Sequence, residues 1–109
     1  MSKHRGTACI IFVTSPNREV SLKIVRTLVE KKLAPCVSII PSAKSIYWWK
    51  GRIEESDEEV LVIKTRLDLI EDLIDAIRSI HPYEVPEIIA LPIVMGYSKY
   101  LEWIDEYLK

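Results

Sequence analysis

"CVSIIPSAKSIYWWKGRIEESDEEVLVIKT" runs from Cys36 to Thr65, and its reading decides the fold. "CVSII" at its start and "VLVIKT" at its end are rich in β-branched residues, which suit a pleated strand. Lys50-Gly51 near the middle reads as a tight turn, because glycine supplies the positive φ that a two-residue hairpin loop needs. "SIYWW" before the turn and "RIEES" after it keep β character. Pro41, Ser42 and Ala43 interrupt the first arm, and the acidic "SDEE" interrupts the second. The stretch is therefore predicted to be one long hairpin, twisted or bulged.

Upstream, Ala8–Val13 is a short continuous apolar run and reads as a strand buried on both faces. In "TSPNRE", Ser15 is positioned to cap a helix, with Pro16 at the first helical position, where a missing N–H costs nothing. Val20, Ile24 and Leu28, with Val25 and Val29, keep i, i+4 spacing, which predicts an amphipathic helix ending near Leu33. Downstream, Leu69, Ile70, Leu73, Ile74, Ile77 and Ile80 form a second helical stripe. Its acids crowd the N-terminal half, where the helix dipole favours them, and Pro82 ends the helix at His81. "VPEIIALPIV" is apolar on both alternating faces, but Pro86 and Pro92 cannot donate to a ladder, so it belongs at an edge or a bulge. Ser98 is expected to cap a last short helix with Leu101, Ile104, Tyr107 and Leu108 facing inward.

The order β-α-β-β-α-β plus a C-terminal helix predicts an α+β fold. It is the ferredoxin-like split βαβ sandwich, with helices on one face of a four-stranded antiparallel sheet. The 109 residues suit a single domain over residues 1–109, with 1–7 expected to be a loose N-terminus. Net charge is −1, without the basic excess that general nucleic-acid or anionic-membrane binding calls for. Cys9 and Cys36 sit in apolar runs and form no CxxC, so neither a zinc ribbon nor a disulfide framework is expected. The apolar run after "MSKHRG" is too short for a signal h-region, no stretch approaches a membrane span, and a cytoplasmic protein is expected.

Motifs for catalysis are sparse. No serine stands in a G-x-S-x-G elbow, and three glycines do not make a phosphate-cradling loop. Runs such as "EES" and "DEE" read as solvated surface. An enzyme is not expected. His4 and His81 lack the pairing of a self-contained metal site, so His81 has two readings. It ends the second helix by donating to its last carbonyls, or it joins Glu84, Glu87 or another subunit in a composite site. Tyr47, Trp48 and Trp49 have the type of side chain that stacks on bases, but the basic sheet face that RNA recognition wants is missing. Their simpler reading packs one Trp in the core and turns its neighbour to the other face. The apolar edge strand and that outward aromatic both point to an oligomer or to cover by the last helix.

Taken together, "TSPNRE", "LVEKKLAPCVSIIP", "SIYWWKGRIEES", "EVLVIKT", "HPYEVPEIIALPI" and "YLEWI" resemble the CutA family of divalent-cation tolerance proteins. The resemblance covers about Val13 to Ile104, and W-x-G-x-I, IKT and HPYE-x-PE carry it most specifically. It implies a ferredoxin-like subunit in a homotrimer built by strand pairing between neighbours, which would close the exposed edges. It also implies a link to tolerance of divalent metals, copper above all, and in some animal members to acetylcholinesterase processing and anchoring. By the same resemblance His81 is a proposed metal ligand. Trp49, Glu59, Lys64, Tyr83 and Glu87 match positions lining a polar cleft near the subunit boundary. Val13 and Ile80 stand where bacterial members can carry a Cys and a second His, so of that copper set only His81 remains.

Three functions follow as expectations. The first is a homotrimer that binds copper or another divalent cation weakly through His81, with Glu84 and Glu87. The second is a non-catalytic, PII-like scaffold that takes a small anionic ligand or a protein at intersubunit clefts, with Lys64 and Trp48-Trp49 as its features. The third, a hydrolase of acylphosphatase-like fold, would use Asn17 and Arg18 but lacks a glycine-rich anion loop.

Overall fold

The computed structural model describes residues 7–109. The expected loose N-terminus and His4 fall mainly on residues 1–6, outside the described residues, whereas the Thr7 carbonyl accepts from the Leu67 N–H at 2.8 Å. The elements are β1 (Ala8–Ser15), α1 (Arg18–Glu30), β2 (Cys36–Trp49), β3 (Arg52–Arg66), α2 (Ile70–Arg78), β4 (Ile88–Pro92) and α3 (Ser98–Glu106). The sheet order is β2-β3-β1-β4 with every neighbour antiparallel, which is the βαββαβ sandwich with an added helix.

Strand alternation decides what is buried. Cys9, Ile11 and Val13 of β1 and Leu61 and Ile63 of β3 point to one face and are fully buried against Ile24 and Leu28 of α1 and Leu73 and Ile77 of α2. Ile10 and Phe12 point to the other face and are only half-buried, so β1 is not sealed on both sides as the sequence reading had it. Its run is apolar throughout, but the helices lie on one face of the sheet.

The start of α1 corrects the cap. Asn17, extended at φ −166°, accepts from the Val20 N–H at 2.9 Å, so Asn17 and not Ser15 is the N-cap. The Ser15 hydroxyl instead donates to the Asn17 carbonyl and accepts from Ser21, and Pro16 lies before the cap. The helix ends earlier than Leu33. The Leu33 N–H reaches back to the Leu28 carbonyl and the Lys32 N–H to that of Val29, with Lys32 left-handed at φ 58°. This is a Schellman end in which lysine takes a place that glycine fills with less strain.

The hairpin is as long as expected and bulged. Ile40 faces Val60 but Ala43 faces Glu58, so Pro41 and Ser42 share the space opposite Glu59, with Ser42 at φ 68°. Lys50 and Gly51 are both at positive φ, 50° and 79°, as a type I′ turn requires. The tip reaches beyond the helices and gives the chain extents of 53 × 26 × 22 Å. Neither Trp of the pair enters the core, contrary to expectation: Trp48 is exposed and Trp49 half-buried, because no helix lies over that end of the sheet.

β4 is an edge strand, as its prolines demand. In α3, Tyr97 occupies the cap position without a side-chain bond, and Ser98 is the first helical residue rather than the cap. Leu101, Ile104 and Leu108 turn inward, but Tyr107 is turned outward and lies against Trp103. Arg66, at the end of β3, is 2% exposed. It donates to Asp68, Asp105 and the Lys109 carbonyl, and so ties α3 to the sheet.

Candidate functional site

The fold brings His81 and Tyr83 together, with ring centroids 4.6 Å apart. His81 follows the end of α2 and is buried. Its Nε2 lies 2.7 Å from the Thr14 carbonyl of β1, and its Nδ1 lies 3.2 Å from the Tyr83 N–H. A carbonyl only accepts and an N–H only donates, so Nε2 carries the proton and Nδ1 the lone pair that Tyr83 uses. The capping reading placed the imidazole on the last carbonyls of the helix. The ring instead bonds across the fold to the end of β1, and only the His81 backbone N–H closes the helix, on the Ile77 carbonyl at 2.8 Å.

This arrangement orients Tyr83. Its phenol donates to Glu58 Oε2 at 2.7 Å. Burial, followed by the hydrogen bond to Glu58, pushes the phenol well above the usual tyrosine range, so it remains a donor at any biological pH. Glu58 belongs to the acidic run that the sequence reading assigned to solvent, yet it is 7% exposed. It lies on the sheet face shared by Val60 and Val62, and that alternation is the signal that could have found it.

Around this pair opens a cleft of about 810 Å³ between the hairpin tip and the loop after α2. Tyr47, Trp48, Trp49 and Tyr83 contribute its aromatic walls, and Glu58, Glu84 and Glu87 its carboxylates. No Lys or Arg is among the described residues that line it. Of the residues expected in a cleft, Trp49, Tyr83 and Glu87 are there. Glu59 and Lys64 are not. Glu59 alternates to the helix face and pairs with Arg18 at 3.0 Å, which holds its carboxyl below the usual range. Lys64 lies near the hairpin base and donates to Ser38 at 2.8 Å. Asn17 and Arg18 are likewise engaged, as helix cap and as partner of Glu59.

A metal ion fits the single chain poorly. Both His81 nitrogens are engaged, Val13 is core, and no group of three or more His, Cys, Asp or Glu converges among the described residues. Glu84 and Glu87 are exposed at the cleft and free to meet a cation loosely.

Residues 9–107 match the family described as CutA1 divalent ion tolerance protein. Protein CutA of Homo sapiens is 50% identical over 101 residues, 93% of this chain and 56% of the human protein, so the chain spans little more than half of that relative. The divalent-cation tolerance protein CutA of Thermus thermophilus is 42% identical over 89% of this chain and 94% of its own length. The solved structure of the Thermus protein superposes with a TM-score of 0.91 at 40% identity, covering 94% of this chain and 99% of that one. CutA1 from Oryza sativa superposes with a TM-score of 0.92 at 40% identity, covering 95% of each. Sequence and backbone agree over nearly the same span, and the chain belongs to the CutA1 divalent ion tolerance family.

Proposed function

We propose that this chain acts in divalent-cation tolerance as a non-catalytic homotrimer that meets metal ions weakly at its acidic cleft. The observation that carries the reading is a cleft with three carboxylates and no lining cation among the described residues. Glu84 and Glu87 are the contacting groups. His81 acts through Tyr83, which it positions, and becomes a ligand itself only by releasing Thr14 or Tyr83. Oxygen donors with at most one imidazole suit Cu(II) or Zn(II) better than Cu(I), which favours thiolates. Relatives named divalent-cation tolerance proteins support the role.

The trimer has its own support. Ile10, Phe12, Ile40, Val62, Ile89 and Leu91 share the sheet face turned away from α1 and α2. Ile40, Ile89 and Leu91 are about half exposed there. An apolar sheet face and an edge strand of this kind are closed by association of identical copies. We place this assembly in the cytoplasm, which subcellular fractionation tests.

Titration of Cu²⁺ and Zn²⁺ into the protein, with the mass measured by light scattering, tests both parts. The expected result is a trimeric mass and weak saturable binding that falls in the Glu84→Gln/Glu87→Gln double variant. Identical heats for protein and variant remove the cleft from metal binding, and a monomeric mass removes the trimer.

A further inference from the structure

Glu58 poses an electrostatic problem. It is a buried carboxylate at the wall of an open cleft, and its one hydrogen-bond partner among the described residues is a neutral phenol. Among the described residues, the ion pairs are Arg18–Glu59, Lys44–Asp57, Arg66 with Asp68 and Asp105, and Lys109–Asp72, so no lysine or arginine pairs with Glu58. A carboxylate shielded from water gains when a cation enters beside it. The other walls narrow the kind of cation. Tyr47 and Trp49 stand on the same sheet face as Glu58, and Tyr83 hydrogen-bonds to it. Aromatic faces attract cations through their quadrupole, best when the cation is weakly hydrated. Trp49 already does this within the chain, with the Lys50 ammonium 5.6 Å from its ring centroid.

A bare metal ion needs several oxygen or nitrogen atoms converging on one point, and the described residues offer no such group. An organic ammonium ion spreads its charge over a larger volume and is satisfied by one carboxylate and aromatic walls. The cleft volume of about 810 Å³ is within the range of small-molecule sites. We propose that the cleft is a binding site for a small organic ammonium ion, with Glu58 as counter-ion and Tyr47, Trp49 and Tyr83 as the aromatic cage. The inference rests on the cation-facing reading of the cleft made above and names a second class of cation for it. It also takes the charge opposite to the small anion of the scaffold expectation, because Lys64 is not at the site and the three lining acids repel anions.

The test is calorimetric titration of tetraethylammonium chloride into the assembled protein, against sodium chloride at equal ionic strength, with ZnCl₂ and inorganic phosphate as separate arms. Saturable tetraethylammonium binding is expected, weakened about tenfold or more in Glu58→Gln and in Trp49→Leu. Glu58→Gln keeps an oxygen for Tyr83 to donate to, so its thermal midpoint is expected to stay within a few degrees of the parent. Trp49→Leu gives an independent reading if it does not. Heats no larger than those of sodium chloride, or equal affinity in parent and variants, overturn the proposal. Zn²⁺ binding without tetraethylammonium binding overturns this inference and leaves the metal reading standing. Tetraethylammonium binding without Zn²⁺ binding does the reverse. Phosphate binding that outcompetes tetraethylammonium overturns both.

Discussion

At the base of the β2–β3 hairpin, Leu61 and Ile63 are fully buried beneath α1 and α2; at its tip, Ile46, Trp48 and Ile53 are 64%, 72% and 60% exposed. Both ends have the same antiparallel ladder, unbroken except at Pro41-Ser42. Backbone hydrogen bonds are therefore not what separates them. The base adds a layer of helices, and burial of apolar area is the larger contribution to stability. A bare two-stranded ribbon is marginal in water, so the tip depends on its own turn, its cross-strand pairs and whatever it meets. Stability and binding are thereby assigned to opposite ends of one element. A tip that contributes little to folding is free to carry large aromatics for another use.

The comparison can be broken most directly at the base. Ile63→Ala is expected to cost about 3 kcal/mol in denaturant unfolding, from lost transfer energy and the cavity left behind. A loss under about 1 kcal/mol would show that the helices pack loosely on that end.

The Arg66 clamp comes next. Asp68→Ala leaves a buried guanidinium short of its bidentate partner and is expected to cost about 2 kcal/mol, reduced from the fully buried case because Asp68 is 43% exposed. The hydrogen bonds from Arg66 hold the Asp68 carboxyl below its ordinary value of 3.8. Its contribution is thus fully present above about pH 4 and is lost as the pH falls through the lower folded value. Unfolding measured from pH 5 to 2 should slope less in Asp68→Asn than in the parent.

Gly51→Ala probes the tip. Nothing lies within 4 Å of the added Cβ, so the cost comes from φ 79° alone, about 1 kcal/mol of local strain. If the tip is energetically separate, hydrogen exchange should quicken around the turn by several-fold while the global midpoint barely moves. The smallest effect belongs to Trp48→Ser, expected within about 0.5 kcal/mol of the parent. A larger loss, together with a change in assembled mass, would mean that the tip is covered by a neighbouring subunit.

The fold was legible wherever periodicity and punctuation agreed. Lys50-Gly51 marked the turn, Pro82 the end of α2, and Pro86 and Pro92 the edge strand. Helix caps were less legible, because Ser15, Asn17 and Ser98 are all competent caps and only the entry angle of the chain chooses among them. The site was half legible. Trp49, Tyr83, Glu84 and Glu87 lie next to its motifs, and all line the cleft. Glu58 was hidden among five acids between Glu54 and Glu59, and only the pairing of strands shows which of them meets Tyr83. The use of both His81 nitrogens could not be read either, since Thr14 lies 67 residues away in sequence.

The extra residue at Pro41-Ser42 has an arithmetic consequence. Before it, even-numbered residues of β2 share a face with even-numbered residues of β3, as Ile40 does with Val60; after it, odd-numbered ones do, as Ala43 does with Glu58. The irregularity works as a parity shift along the ribbon. It selects Tyr47 and Trp49, rather than Ile46 and Trp48, as the companions of Glu58. Deleting Ser42 alone would leave Pro41 opposite Glu59 in a regular ladder and keep Ala43 opposite Glu58, so the faces of the tip would stand while the local bend and extra twist of the ribbon would go.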